Sequence, residues 1–262
     1  MEKRIIFFDI DGTLLDEKTA TVPQSTLDAI HKARENGHIC IVNTGRPIAS
    51  IDQVIRDIGF DGYICGCGTY IEYHDEVIFH TELNEDIRKR VIQMAYECGI
   101  EAVLEGRYGI HFPQSLQHPF IKNFHQHYVD AKFPISLYSQ DDIVMFDKFA
   151  AWYNKDARID QFKEFLVQYF DVIQREDDFI EVVPLNCSKA IGIQKLCDHL
   201  HLSHDQTVSV GDSTNDLTML SYTKESIAMG NSNPSLFDLV TYITTDINDN
   251  GIYNALKHFE II

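Results

Sequence analysis

The sequence predicts an α/β fold: a core built on a parallel sheet, interrupted by an inserted α+β segment. Three observations point to it. Short apolar runs end in carboxylates or turn residues, amphipathic stretches of helical period lie between them, and in the middle of the chain the strands cluster instead of alternating with helices. Arg4 to Phe8 reads as a buried parallel strand. Pro23 to Asn36 has helical spacing, with Pro23 as its first helical residue and Gly37 as its stop. His38 to Val42 is a second strand, Pro47 opens a helix reaching about Ile58, and Asp61 to Cys65 is a third strand. Strand–helix repetition of this kind implies right-handed crossovers.

Thr69 to Phe79 alternates apolar and polar residues around His74-Asp75, the pattern of a hairpin. From Leu83 to Val183 the reading is helix 86–98, strands 100–104 and 108–112, helix 115–129, strand 148–153, helix 158–169, and strands 171–174 and 179–183. Alternation then resumes with helix 189–200, strand 206–210, helix 214–221, strand 226–229, helix 234–239, strand 241–244 and helix 251–259. The expected organisation is one core, residues 1–82 and 184–262, with a second domain inserted at 83–183.

Composition bounds the function. The 262 residues are 44% hydrophobic and 24% charged, which suits a globular chain and excludes a disordered or collagen-like one. No apolar run approaches the roughly 20 residues that span a bilayer. The run Ile5 to Phe8 is cut off by Asp9, so a cytoplasmic protein is expected. A formal charge of −18 repels nucleic acid and anionic membranes, so neither is an expected partner. An anionic small molecule needs a bound cation and local basic groups to overturn that field. The six cysteines form no Cys-x-x-Cys pair and are expected as reduced, buried thiols.

Chemistry is carried by three polar clusters at the expected carboxyl ends of core strands, where open α/β sheets bind ligands. The first is Asp9-Ile10-Asp11-Gly12-Thr13. Residues two apart on an extended segment share a face, so both carboxylates can enter one crevice; their repulsion needs a cation or a shared proton, and a hard cation, magnesium above all, fits that need. The second is Thr44-Gly45-Arg46, just ahead of the helix opened by Pro47. It suits a phosphate oxygen, although taken alone it reads more readily as an ordinary turn than as a site. The third, Gly211-Asp212-Ser213-Thr214-Asn215-Asp216, adds two carboxylates and an amide, and Lys189 is a candidate to balance their charge.

These clusters, in this order, resemble the four motifs of the haloacid dehalogenase-like superfamily of phosphatases, most closely its Cof-type branch. Phe7 to Leu14 resembles the first, Val42 to Pro47 the second, Lys189 the third and Gly211 to Asp216 the fourth. Ala228-Met229-Gly230-Asn231 and Asn250-Gly251-Ile252 resemble the branch's C-terminal signature. The resemblance spans essentially the whole chain. It departs at Asn186 and Ala190, where the branch usually has glycine; Asn tolerates a left-handed backbone.

The resemblance implies a Rossmann-like core with a cap domain between the second and third motifs. It implies a magnesium-dependent phosphatase acting on a small phosphorylated metabolite, a sugar phosphate above all. Asp9 is then the nucleophile that becomes an aspartyl phosphate, and Asp11 the general acid and base. Thr44, Gly45, Lys189 and Asn215 hold the phosphoryl oxygens. Magnesium is bound by Asp9, Asp11 (through its backbone carbonyl) and Asp212, with Asp216 supporting from nearby. Asp at position 11 leaves phosphatases and phosphomutases within the superfamily, and a non-catalytic metabolite sensor is the alternative outside enzymes. The protein is expected as a monomer or small homo-oligomer. His118, His125, His127, His199, His201 and His204 are expected as solvated surface residues. Phe120, Phe124, Tyr128 and Phe133 are expected in the core of the inserted domain.

Overall fold

Strand β1 (Ile5–Phe8) is apolar at every position and fully buried, as a strand covered on both faces must be. The structure, a computed structural model, describes residues 3–262. After β1 come α1 (Gln24–Glu35), β2 (Ile39–Asn43), the short α2 (Gln53–Arg56), β3 (Gly62–Cys65), β4 (Tyr70–Tyr73) and β5 (Glu76–His80). The middle of the chain forms α3 (Glu85–Cys98), β6 (Ile100–Gly106), β7 (Gly109–Pro113), α4 (Pro119–Asp130), β8 (Ile135–Tyr138), β9 (Lys148–Tyr153), α5 (Ile159–Leu166), β10 (Phe170–Glu176) and β11 (Phe179–Pro184). The chain closes with α6 (Lys189–Leu200), β12 (Thr207–Gly211), α7 (Leu217–Tyr222), β13 (Glu225–Ala228), β14 (Tyr242–Ile243) and α8 (Gly251–His258).

The chain divides into two units, one formed by the chain up to Arg46 with Ile51–Phe79 and Ser188–Ile262, the other by Pro47–Ser50 and His80–Cys187. The first carries an eight-stranded sheet in the order β14-β13-β12-β1-β2-β3-β4-β5. Its strands are parallel from β14 through β3, and β4 returns antiparallel with Gly62 opposite Tyr73. β1 pairs with β12 through Phe8–Val210 and with β2 through Phe8–Val42, so the residues that follow these three strands emerge side by side. One of its apolar clusters joins Ile5, Phe7, Ile39, Ile41 and Ile64 to Ile193, Leu196 and Met219 of the later helices.

The second unit carries a six-stranded sheet ordered β10-β11-β9-β6-β7-β8, antiparallel except between β7 and β8. Alternate residues of β9 enter two different cores. Phe149 and Ala151 pack with Val91, Ala95, Phe162 and Leu166 of α3 and α5, whereas Ala150 and Trp152 pack with Ile121 and Tyr128 of α4. Helices therefore cover both faces of this sheet.

Several elements differ from the sequence expectation, each for a local reason. Pro23 is the residue before α1, with extended ψ of 142°, and not its first helical residue. The helix expected from Pro47 to Ile58 is broken: Ile48–Ser50 is a single 3-10 turn, Asp52 is extended, and only Gln53–Arg56 is α-helical. Helix α4 begins at Pro119 because the Glu101 carboxylate accepts the Gln117 and His118 N–H groups, holding those residues out of the helix. Strand β8 was not expected; it is a four-residue edge strand whose middle residues are exposed, so it lacks an apolar signature. Residues 234–239 form a 3-10 turn. Asn186 takes the left-handed φ of +64° that its place in the third motif suggested.

The aromatics expected in the inserted core divide: Tyr128 is buried, Phe124 and Phe133 are partly buried, and Phe120 is largely exposed while stacking on Trp152. Among the histidines, His118 is half-buried and paired with Asp178, and His125 lies edge-on to Phe112. Cys40, Cys65, Cys98, Cys187 and Cys197 are buried free thiols, and Cys67 is half-buried. No described helix is long and apolar enough to cross a membrane.

Phe149 is fully buried and meets Phe146, Phe162 and Phe170, which makes it the hub of the second unit's larger core. Truncation there leaves a cavity that rigid neighbours cannot fill. Phe149→Ala is expected to lower unfolding free energy by about 3–5 kcal/mol, measured by denaturant titration; a loss under about 1 kcal/mol would show that this core is not cooperatively packed.

Candidate active site

The site begins where β1 ends. Asp9 is buried, and its N–H donates to the Val210 carbonyl of the adjacent β12 at 3.1 Å. The chain must then leave the sheet sharply, and Gly12 provides the turn with φ of +76°. A second constraint acts at the same residue: a Cβ on Gly12 would lie 2.7 Å from Cγ of Asp212. Glycine is thus required both by backbone and by space. Across from it, Gly211 ends β12, where a Cβ would meet Asp216 Oδ2 at 2.6 Å.

Lys189 opens α6, whose first turn is capped by Ser188 Oγ accepting the Ile191 N–H. This sends a fully buried ammonium between two carboxylates. Lys189 Nζ donates to Asp9 Oδ1 and to Asp216 Oδ1, both at 2.6 Å. The other oxygen of Asp216 accepts the backbone N–H groups of Asp212 at 3.0 Å and Ser213 at 3.2 Å. Asp216 therefore ties the fourth motif's turn to Lys189. Asp212 is half-buried, and its Oδ1 accepts from Thr13 Oγ1 at 3.2 Å.

Carboxylate oxygens of Asp9, Asp212 and Asp216 lie within 4.8 Å of one another. The electrostatics register the crowding. Burial, then the charge of Asp216, pushes the Asp9 carboxyl well above its usual value against the pull of Lys189. Burial and Asp216 likewise push Asp212 up to about 7. For Lys189, burial alone would favour the neutral amine, but Asp216 and Asp9 outweigh it and raise its pKa. An all-oxygen donor set of anions with one ammonium among them is the kind of site a hard divalent cation satisfies.

The remaining expected residues are placed as follows. Thr44 is buried after β2, its Oγ1 accepting the Arg46 N–H at 3.2 Å, and Gly45 beside it is half-buried. The Asp11 carboxylate is not with the other three. It is gripped by Arg46, whose Nε donates to Oδ2 at 2.8 Å and whose Nη2 donates to Oδ1. Asn215 is exposed, and its Oδ1 accepts from Ser213 Oγ at 2.7 Å. The structure thus brings Asp9, Lys189, Asp212 and Asp216 into one cluster, leaves Asn215 turned to its own loop, and gives Asp216 a share in the acidic group. No α-helix N-terminus follows Thr44-Gly45, since the expected helix is broken.

Three supporting residues were not singled out from sequence. Arg46, beside Thr44-Gly45 in the second cluster, donates through Nη1 to Asp52 Oδ2 at 2.5 Å besides holding Asp11. Asn43 donates through Nδ2 to the Lys189 carbonyl at 3.2 Å, fixing the start of α6 from β2. Asn231, within the expected C-terminal signature, donates to the Gly12 carbonyl at 2.8 Å and accepts the Ile247 N–H at 2.9 Å, which links the first turn to the C-terminal loop.

With this geometry in view, comparison with known proteins is direct. The model of the haloacid dehalogenase-like hydrolase family matches residues 6–256, so the chain belongs to that family and is an enzyme of it. The HMP-PP phosphatase of Citrobacter koseri is 29% identical, over 89% of this chain and 86% of its own. Among solved structures, the HAD subclass IIB sugar phosphatase BT4131 superposes with a TM-score of 0.83 at 26% identity, over 99% of this chain and 100% of that one. The HAD phosphatase BT1666 of Bacteroides thetaiotaomicron superposes with a TM-score of 0.83 at 25% identity, over 99% and 96%.

The raised pKa of Asp212 carries a sign. A carboxyl whose folded pKa exceeds its unfolded value of about 3.9 contributes stability at low pH and loses it as pH rises through the folded value, here about 7. Metal-free protein should therefore lose melting temperature between about pH 4 and pH 7 and level off above it, and Asp212→Asn should flatten that decline. Parallel slopes for the two proteins in EDTA would refute the electrostatic reading.

Proposed function

We propose that the protein is a magnesium-dependent phosphatase that hydrolyses a small phosphorylated metabolite through an aspartyl phosphate on Asp9. The observation that carries this reading is the buried cluster of Asp9, Asp212 and Asp216 around Lys189, formed where β1 and β12 end side by side. Asp9, Asp212 and the backbone carbonyl of Asp11 would hold the magnesium, with Asp216 fixing the fourth motif's turn. When bound, the ion supplies charge neutralisation for the phosphoryl group and for the carboxylates around it.

The chain's own residues do the rest. The Asp9 carboxylate attacks phosphorus in line; its O–P bond forms as the bond to the leaving oxygen breaks. Asp11 gives its proton to that oxygen, releasing an alcohol. Asp11, now a carboxylate, takes a proton from the attacking water; the water oxygen bonds to phosphorus as the Asp9 O–P bond breaks, which frees the Asp9 carboxylate and releases inorganic phosphate. Lys189 keeps the Asp9 carboxylate oriented and, with Thr44 and the Gly45 N–H, holds phosphoryl oxygens. Asn215 joins them only after its side chain leaves Ser213. Such a site works by positioning and charge neutralisation.

Residues 83–183 serve as the cap that selects the substrate, inserted into a core formed by 1–82 and 184–262. A sugar phosphate is the favoured class, a reading supported by the likeness to a sugar phosphatase of known structure. A cytoplasmic setting is supported by the buried free thiols, and a monomer or small homo-oligomer suffices for the chemistry.

The test is phosphate release from a panel of sugar phosphates, nucleotides and cofactor phosphates, with magnesium and with EDTA. Asp9→Asn is expected to lower kcat by at least about 10³-fold on every ester, with no trapped phosphoenzyme. Retained turnover in Asp9→Asn would remove the nucleophile from the scheme. Transfer of phosphate between positions of one sugar, without release, would instead identify a mutase.

A further inference from the structure

The expected helix after the second motif is broken at Asp52, and the break has a partner. Asp52 occupies the position before α2 with φ of −58° and ψ of 146°, the place where an aspartate side chain ordinarily caps the helix. It makes no such bond. Its carboxylate instead accepts from Arg46 Nη1 at 2.5 Å. The same guanidinium holds both oxygens of Asp11, through Nε at 2.8 Å and through Nη2. The Arg46 backbone is pinned as well, its N–H on Thr44 Oγ1 at 3.2 Å and its carbonyl accepting the Gly66 N–H at 2.8 Å.

A two-point grip of this kind fixes the plane of a carboxylate, which a lysine's point charge cannot do. It uses one lone pair on each Asp11 oxygen and leaves the other free to carry or receive a proton. The three side chains are a quarter to a third exposed, at 24% for Arg46, 34% for Asp11 and 28% for Asp52, so the chain of ion pairs borders solvent without lying open to it. A general acid must meet its leaving oxygen within hydrogen-bond reach, and a loose Asp11 on a glycine turn would not.

We infer that Arg46 is the positioning residue for Asp11, and that Asp52 positions Arg46, so that the relay Asp52–Arg46–Asp11 aims the acid at the leaving oxygen. This rests on the phosphatase reading above. Arg46 acts on proton delivery and not on the phosphoryl group, so its loss is felt in proportion to the leaving group's need for a proton.

The experiment compares kcat/KM for an alkyl phosphate, the best sugar phosphate of the panel, with that for p-nitrophenyl phosphate, whose phenolate departs without a proton. Arg46→Gln is expected to lower the alkyl value by roughly 10²-fold and the aryl value by less than about 10-fold. Asp52→Asn should do the same on a smaller scale, and Arg46→Lys should fall between wild type and Arg46→Gln. Adding Arg46→Gln to Asp11→Asn should cost little beyond Asp11→Asn alone, because both remove one function. Equal losses on the two esters, or additive losses in the double variant, would overturn the inference. If Arg46→Gln fails to fold, Asp52→Asn against both esters decides by the same criterion. Turnover surviving in Asp9→Asn would instead sink the phosphatase mechanism itself, so the two failures are separable.

Discussion

One buried ammonium organises this site. Lys189 Nζ sits 2.6 Å from Asp9 Oδ1 and 2.6 Å from Asp216 Oδ1, joining residues 180 and 27 positions away in sequence. Removing one member of a buried ion pair generally costs about 3–5 kcal/mol, since the surviving charge keeps its desolvation penalty. Asp9, Lys189 and Asp216 are therefore interdependent, and so are the elements that carry them. β1 and β12 must be neighbours in register, α6 must begin beneath their carboxyl ends, and the turn after β12 must fold Asp216 back over Gly211. Asn43 and Asn231 serve the same constraint from further out, anchoring the start of α6 and the turn at Gly12.

That constraint also explains where the chain tolerates a large insertion. The acidic cluster draws its residues from the end of β1 and from the chain after Ser188, and neither depends on the strands at the far side of the sheet. β5 is the edge strand, and the chain departs from it into the second unit. An excursion from an edge breaks no ladder between inner strands, so more than a hundred residues enter without disturbing the pairing of β1 with β12 and β2. The second unit has its own sheet and its own apolar cores.

Much of this was legible in the sequence, for reasons particular to each element. Buried parallel strands such as Ile5–Phe8 and Ile39–Asn43 are apolar throughout because both faces are covered. Asp9, Lys189, Asp212 and Asp216 were legible as polar residues at strand ends and a helix start that resemble the family's motifs in order, and they meet in one cluster. Strand β8 was not, since an exposed four-residue edge obeys no burial pattern. The break at Asp52 was hidden for a subtler reason. Neither glycine nor proline marks it, and Gln53–Arg56 continues in helical composition; a tertiary ion pair with Arg46 accompanies the departure of the backbone. The Arg46–Asp52 pair is hidden with it, because on an unbroken helix begun at Pro47 the residue just ahead of the helix does not face a residue six positions on. Asn215 shows the opposite case, a motif residue whose side chain the local turn holds on Ser213.

The same ion pairs bear on what the site can attract. Asp9, Asp11, Asp52, Asp212 and Asp216 face Lys189 and Arg46, and each of those cations is already bound to two carboxylates. Neither offers an uncompensated positive charge to a phosphate dianion, and the chain as a whole carries −18. On the reading proposed above, the protein's basic residues alone do not make this site a phosphate site; they organise anions. Attraction has to come from a bound cation, with the backbone N–H groups near Thr44 adding short-range polarity. The elevated pKa values of Asp9 and Asp212 express the same imbalance, since protons are the alternative cations for crowded carboxylates. On that same reading, Asp9, Asp212 and the Asp11 carbonyl would have to hold a divalent cation before a phosphate could settle, since the cluster by itself repels an anion.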